Sequence, residues 1–587
     1  MRSEFRIARA DMGDAVDGEI VLAEALPGRR LGLPEARIVE RIGDSADPRA
    51  FSLIAIHSHG LPTVFSEAAL AQAAKARPVT LGERTDLREL PLVTIDGADA
   101  RDFDDAVWAE PDPAREGGWH AVVAIADVAW YVRAESALDV AARERGNSTY
   151  FPDRVVPMLP EALSNELCSL KPAVERACLA VDLSIDAEGR VDRHRFVRGL
   201  MRSAARLTYE EVQAAIDGRP NDTTRPLVDP VLRPLYGAYR ALDRARRRRG
   251  ALDLDLPERR IVLAADGRIA RIEPRQRFDS HKLIEELMIA ANVAAAETLE
   301  RLRQPCMYRV HDAPDPSKLA ALREVLNGIG IPGLKLAKGQ AVRPQHFNDI
   351  LHRVAGTPYE TLVNTLVLRS QAQAAYSPTN LGHFGLGLRR YAHFTSPIRR
   401  YADLLVHRAL ISGQRFGAGG LTPAEADNFA AIGEHISMTE RRAAAAERSA
   451  ADRYIAAFLA ERVGAQFAGR INGATRAGLF ITLDETGADG LVPIGRLPGD
   501  YYVHDETHHR LVGRRTHRSF TLGDAYPCSI LGPTHPNRLM ANTGTIDPAG
   551  LQGGPITAST ASPHALWTCS WTTVQELLED AGVSWKV

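Results

Sequence analysis

The sequence is poor in cysteine. It has five in 587 residues, Cys168, Cys178, Cys306, Cys528 and Cys569, scattered and never in a CxxC pair. That spacing argues against a thiolate zinc site and against a disulfide framework, and it fits a reducing cytoplasmic compartment. Long apolar runs are missing too. Nothing reaches the ~18 residues that a spanning helix needs, and the opening MRSEFRIARADMGDAV is charged rather than signal-like. No charge sign dominates: 72 Lys and Arg face 74 Asp and Glu, a net charge of -2. Any grip on a polyanion must therefore come from local clustering. No repeat recurs at a fixed period. What is present, 45% apolar and 25% charged residues, is the usual mix of a globular protein with room for several domains.

The pattern along the chain predicts an α+β fold with barrels at its flanks. Residues 1–45 read as short strands, GEIVLAEAL and EARIVERIG, part of a small β-barrel and too short to close one. Residues 46–90 form a connector with a helix in SEAALAQAAKA. Residues 91–415 are a long α+β segment, where Leu283, Ile284, Leu287 and Ala291 fall on one helical face. Residues 416–462 are charged and Ala-rich, a helical linker. Residues 463–525 alternate again as strands, and 526–587 turn rich in Gly, Pro and Thr.

Two stretches carry chemistry. LVTIDGADARDFDDAV sets Asp96, Asp102, Asp104 and Asp105 beside a would-be core strand, PLVTI. Two carboxylates about 4 Å apart repel by roughly 4 kcal/mol at an effective dielectric of 20. An EF-hand is disfavoured, because its glycine and closing glutamate are missing. Solvated turn carboxylates remain one reading. A magnesium site for phosphoryl chemistry is the other, since that ion takes hard oxygen ligands. On an extended backbone Asp102 and Asp104 share a face and Asp105 points away. The second stretch is YAHFTSPIRRYADLLVHRAL. Ser396 as N-cap and Pro397 at the first position predict a helix that starts there. Arg399 and Arg400 then sit in its first turn, where the dipole favours a phosphate. The competing reading is a surface helix whose arginines pair with Asp403.

These stretches, with IADVAWYV, YFPDRVVPMLPEALSNELCSL, SHKLIEELMIAAN and YRVHDAPD in the same order, resemble the ribonuclease R / ribonuclease II (RNB) exoribonuclease family over about residues 1–525. The resemblance implies an RNB catalytic domain flanked by OB-fold barrels: a partial cold-shock-type one at the N-terminus and an RNA-binding one at 463–525. It implies a processive hydrolytic 3′-5′ exoribonuclease that degrades single-stranded RNA to nucleoside 5′-monophosphates by two-metal-ion catalysis with Mg2+. A monomer is expected, with no DNA and no membrane as partner. By motif match Asp96, Asp102, Asp104 and Asp105 are the metal site, with Asp96 and Asp105 the principal ligands. Asp104, with Asp102 beside it, is the carboxylate most needed for chemistry, and Arg399 contacts the scissile phosphate. Tyr150 stacks on a base near the 3′ end, Glu447 holds the terminal nucleotide, and Arg400 is a further RNA contact. Phe467 and Phe480 are stacking candidates, each by itself also a natural barrel-core residue. Arg514, Arg515 and Arg518 offer backbone contacts.

Two departures matter. The resemblance begins inside the second cold-shock unit, so the N-terminus is expected to be truncated. It breaks near Asp524, where the tail resembles a piece of phosphoesterase-type phospholipase C. In that tail Thr573 and Glu576 form a capping box, and Val574, Leu577, Leu578 and Ala581 an amphipathic face. The tail is expected to be poorly ordered and to deprive the terminal barrel of its last strand. A catalytically silent RNA-binding protein of the same fold is the main alternative. A phospholipase-like phosphoesterase lacks a nucleophile motif.

Overall fold

Seven strands build the sheet that carries the site: β1 (Thr85–Asp86), β2 (Val93–Asp96), β3 (Asp105–Pro111), β4 (Trp119–Ala126), β5 (Glu175–Ile185), β6 (Val191–Arg202) and β7 (Ala205–Thr208). Their order is β7-β2-β3-β4-β5-β6-β1. The pairs from β2 to β6 are antiparallel, while β7 joins β2, and β1 joins β6, in parallel. The last six residues of β4, AVVAIA, are buried in succession. Small and β-branched residues covered on both faces suit a strand between two layers. The computed structural model describes residues 4–27, 33–44, 47–254, 258–329, 342–357, 359–505 and 510–529.

Three helices matter for the site. On α1 (Asp279–Arg301) the face of Leu283, Ile284, Leu287 and Ala291 is buried, as the spacing predicts. On α2 (Tyr401–Gln414) every residue from Tyr401 to Ile411 is buried. Polar groups in such a helix need partners. Arg408, 0% exposed, donates to Asp139 Oδ1 (2.7 Å), to the carbonyl of Val132 (2.7 Å) and to Glu425. The Tyr401 hydroxyl donates to the same Asp139 oxygen at 2.9 Å.

The third helix, α3 (Phe429–Ala460), occupies the segment expected to be a linker. It is one rod of 32 residues, roughly 48 Å at 1.5 Å per residue. Phe429, Ile432 and Ile436 enter the main core, Ala446 and Ala450 pack with Ala55, Ile56 and Phe151, and Phe458 and Leu459 meet the terminal barrel at Phe467 and Leu483.

The N-terminal strands Arg6–Ile7, Glu19–Ala25 and Glu35–Asp44 form a three-stranded sheet. At the other end, Ile471, Leu479, Ile481, Leu511 and Phe520 form a second barrel-type core. The barrel was expected to lack its last strand, and the structure corrects this. Cys528–Ser529 pairs antiparallel with Gln466–Phe467, and the Tyr526 N–H donates to the Gly469 carbonyl at 2.8 Å. Pairing of this kind uses backbone groups, so foreign residues supply it if every second one is apolar. Tyr526 and Cys528 meet that condition and pack against the barrel core. Ending the chain at Asp524 is therefore expected to destabilise the barrel by about 2 kcal/mol, on the order of one buried side chain. Denaturant unfolding followed by the barrel tyrosines, or limited proteolysis at the arginines of 470–518, checks it; an unchanged midpoint contradicts it. The expected poor order of the tail, and its helix at Val574, Leu577, Leu578 and Ala581, lie outside the described residues. Among those residues no helix is long and apolar enough to cross a membrane.

Candidate active site

β2 ends on Asp96 and β3 begins on Asp105. The two strands are antiparallel neighbours, so the irregular loop 97–104 returns to its starting point and brings these carboxylates together. Asp96 accepts a bond from the Gly97 N–H at 2.7 Å. Asp104, 5% exposed, accepts one from the Ile398 N–H at 2.9 Å through Oδ1. Its Oδ2 lies 3.7 Å from Arg399 Nε. Asp102 Oδ2 accepts from the Tyr150 hydroxyl at 3.2 Å. The charges do not separate into two sets: Asp104 feels both Asp102 and Asp105, Asp105 feels Asp96, and Asp96 feels Asp102.

The carboxyls are costly to ionise together. Burial, and then the charge of Asp96, push Asp105 up to about 7. Burial holds Asp104 well above the ordinary range, opposed by Arg399 and the Ile398 N–H and reinforced by Asp102 and Asp105. Burial also raises Asp96, against the Gly97 N–H and Arg399. Asp104 Oδ2 and Asp105 Oδ2 are buried without a hydrogen-bond partner. Orphaned, hard oxygen donors around surplus negative charge are what a small divalent cation satisfies. Among the described residues no three acid, imidazole or thiolate groups stand as a closed shell. The fit is therefore one of donor chemistry and not of a finished cage.

Ser396-Pro397 does not start the helix. The Ser396 carbonyl accepts from the N–H groups of Arg399 (3.3 Å) and Arg400 (3.0 Å), which makes a tight turn, and Arg400 is extended at φ -136°, ψ 123°. Tertiary pairing overrides the capping signal. The Ser148 N–H donates to the Arg399 carbonyl and the Tyr401 N–H to that of Gly146, both near 3 Å (3.0 and 2.9 Å). The turn's Ile398 N–H serves Asp104. Arg399 projects from the turn with its side chain 43% exposed and Nη2 donating to Ser396 Oγ at 3.0 Å. Arg400 as an RNA contact is corrected. Its Nε and Nη2 each reach Asp403 at 2.8 Å, and Asp403 is fully buried, so the fork is already occupied.

The structure brings the two outlying residues in as well. The Tyr150 N–H donates to Glu447 Oε1 of α3 at 2.7 Å, while its ring stays 41% exposed. Tyr150 thus joins Asp102 to Glu447. Burial, and then the charge of Asp102, raise the Tyr150 hydroxyl, and burial raises Glu447.

In the terminal barrel Phe467 is corrected from platform to core, at 8% exposure against Phe458, Leu459 and Leu483. Phe480 remains on the outside at 37%. Arg514 lies on the surface with its guanidinium 5.0 Å from the ring centre of Tyr501, itself 69% exposed. Tyr501 was missed, although the strand period in DYYVHD, with Tyr502 buried, puts it outward.

The RNB domain family matches residues 84–413, the Cold shock domain family 1–66 and the Phosphoesterase family 506–587. The last match overlaps the strands Arg510–Gly513, Ser519–Thr521 and Cys528–Ser529 of the terminal barrel. Ribonuclease R of Escherichia coli is 42% identical over 502 residues, 83% of this chain and 61% of that protein. Ribonuclease R of Aquifex aeolicus is 39% identical over 526 residues, 88% of this chain and 74% of that protein. Among solved structures, Mycoplasma genitalium RNase R in complex with ribose methylated single-stranded RNA is similar with a TM-score of 0.84 at 27% identity, over 90% of this chain and 83% of that one. The chain spans about three fifths of the length of the Escherichia coli relative.

Proposed function

The chain belongs to the RNB domain family of ribonuclease R proteins, and from that premise we propose that it is a processive hydrolytic 3′-5′ exoribonuclease, releasing nucleoside 5′-monophosphates from single-stranded RNA. The observation that carries this is the placing of Asp104 between a cluster of carboxylates and the Arg399 guanidinium, at 3.7 Å from its Nε. Asp96, Asp102, Asp104 and Asp105 would hold divalent cations, magnesium in this reading, which supply Lewis-acid polarisation and a nucleophile at neutral pH. Arg399 offers N–H donors to the non-bridging oxygens of the scissile phosphate as negative charge builds there. The exposed ring of Tyr150 takes the face of a base near the 3′ end, and Glu447 orients it through the Tyr150 backbone. Phe480, Arg514 and Tyr501 guide the strand toward the site without reading its sequence.

In the same reading residues 1–45 are a partial cold-shock-type unit, 91–415 the catalytic domain and 463–525 an RNA-binding OB-fold, which borrows its last strand from residues beyond. The protein works in the cytoplasm as a monomer. The test is 5′-labelled single-stranded RNA with Mg2+. Stepwise shortening from the 3′ end with release of mononucleotides is expected. Bound but uncut RNA would select the silent alternative.

The raised carboxyls give a pH dependence. Before metal binds, Asp105 is half protonated near its value of about 7, and Asp104 and Asp96 are raised as well. A cation displaces these protons, so metal affinity falls as pH falls through that region. The Mg2+ concentration for half-maximal rate is expected to rise steadily from pH 8 to pH 6. A constant value across that window contradicts carboxylate ligation.

A further inference from the structure

Four acidic side chains converge only if the irregular loop 97–104 keeps one shape. Its backbone is gripped at two places. Near its start, Arg206 Nη2 donates to the carbonyls of Gly97 at 2.8 Å and Ala98 at 2.9 Å. Farther along, the fully buried Ser169 accepts from the Phe103 N–H at 3.0 Å and donates to the Arg101 carbonyl at 2.8 Å. The Leu170 N–H completes this second grip by donating to the Phe103 carbonyl at 2.9 Å.

Arg206 is the more telling of the two. It sits on β7, paired in parallel with β2 so that Arg206 lies opposite Thr94, two residues before Asp96. Its base is therefore the same rigid sheet that carries Asp96. Its guanidinium also lies 5.5 Å from the ring centre of Phe103, the residue between Asp102 and Asp104. One side chain thus touches the loop just after its first carboxylate and again between the next two. Its donated bonds go to carbonyls, so it grips the loop by its backbone, while its positive charge also favours the ionised form of Asp96.

We propose that Arg206 is a positioning residue for the aspartate cluster: it pins the Gly97 and Ala98 carbonyls and the Phe103 ring so that the carboxylates on either side face a shared divalent cation. This rests on the metal-dependent reading of the site. Groups that orient metal ligands from behind cost roughly 10- to 100-fold in metal affinity or activity when removed. A clamp that merely supports the fold lowers thermal stability and leaves metal affinity in the folded protein alone.

The test is Mn2+ titration of the full chain by electron paramagnetic resonance, for wild type, Arg206→Met and Arg206→Lys. Arg206→Met keeps an apolar stem and loses the donors, and its Mn2+ dissociation constant is expected to rise ten- to a hundredfold. Arg206→Lys retains a donor nitrogen but not the planar group over Phe103, and falls between. RNA affinity in EDTA stays at the wild-type value in both, and the hydrolysis rate recovers as Mn2+ is raised to saturation. A dissociation constant within twofold of wild type in folded Arg206→Met overturns the proposal. If that variant loses its thermal transition, the same result in folded Arg206→Lys overturns it. Wild type that binds Mn2+ yet leaves RNA intact would sink the exonuclease reading, while the three dissociation constants still decide the role of Arg206.

Discussion

Asp104→Asn is expected to abolish the proposed RNA hydrolysis while leaving the protein folded and able to bind RNA. The amide is isosteric, and its oxygen still accepts the Ile398 N–H that Asp104 Oδ1 accepts at 2.9 Å. What disappears is a charge at an oxygen that has no hydrogen-bond partner and lies 3.7 Å from Arg399. A loss on the order of 10^4-fold in single-turnover rate is expected, about 5.4 kcal/mol of barrier at 1.36 kcal/mol per decade. Stability moves the other way. Burial raises the Asp104 carboxyl, so its folded-state pKa exceeds the unfolded one. Such a group contributes stability below the unfolded pKa and loses it as pH rises through the folded value. At pH 8 without metal the wild-type carboxylate is therefore a strain on the fold, and the asparagine variant unfolds at a higher temperature. RNA affinity in EDTA is unchanged or tighter, because one negative charge near the phosphates is gone. A variant within tenfold of the wild-type rate would refute the assignment.

Arg408→Ala is expected to cost about 3–5 kcal/mol of stability, the usual effect of breaking a buried ion pair from one side. The side chain is 0% exposed, and its loss leaves Asp139 and Glu425 without their cation inside the protein. Against a typical domain stability of roughly 5–15 kcal/mol that is a large fraction. Asp139 also accepts the Tyr401 hydroxyl, so the damage reaches the first turn of α2, two residues past Arg399. Denaturant unfolding of Arg408→Ala, Asp139→Asn and the double variant checks this. The double is expected to cost clearly less than the sum, since the second change removes the charge stranded by the first. Additive costs, or a single cost below about 1 kcal/mol, would show the network to be solvated. At low temperature, where Arg408→Ala remains folded, its rate per folded molecule stays near wild type, which separates this network from the chemistry.

The acidic loop was legible because strand propensity and charge both mark it. PLVTI reads as a strand into Asp96, and the carboxylates after it left two readings, solvated turn or metal site, which the Arg399-Arg400 pair and the family resemblance separated. The buried face of α1 was legible from spacing alone. Other features were not local. The delayed start of α2 comes from the 146–148 segment, which pairs with the backbone at 399–401 and defeats a sound Ser-Pro capping signal. Arg400 and Phe467 have the residue types of RNA contacts, but Asp403 and the barrel core claim them. Arg206 meets Gly97 across 109 positions of sequence through two carbonyls, and carbonyls leave no trace in residue type. The barrel's closing strand needs only backbone and two apolar side chains, so a change of family likeness at Asp524 gave no sign of it.

The continuous rod from Phe429 to Ala460 ties the proposed active site and the terminal barrel to one screw. Glu447 and the contacts at Phe458 and Leu459 are read off the same thread, one against Tyr150 and the other against the barrel. Adding a single residue between them would swing the barrel by about 100° and advance it by about 1.5 Å. Only an insertion of near-whole turns would leave both contacts in place, whereas a surface loop accepts one residue at a time.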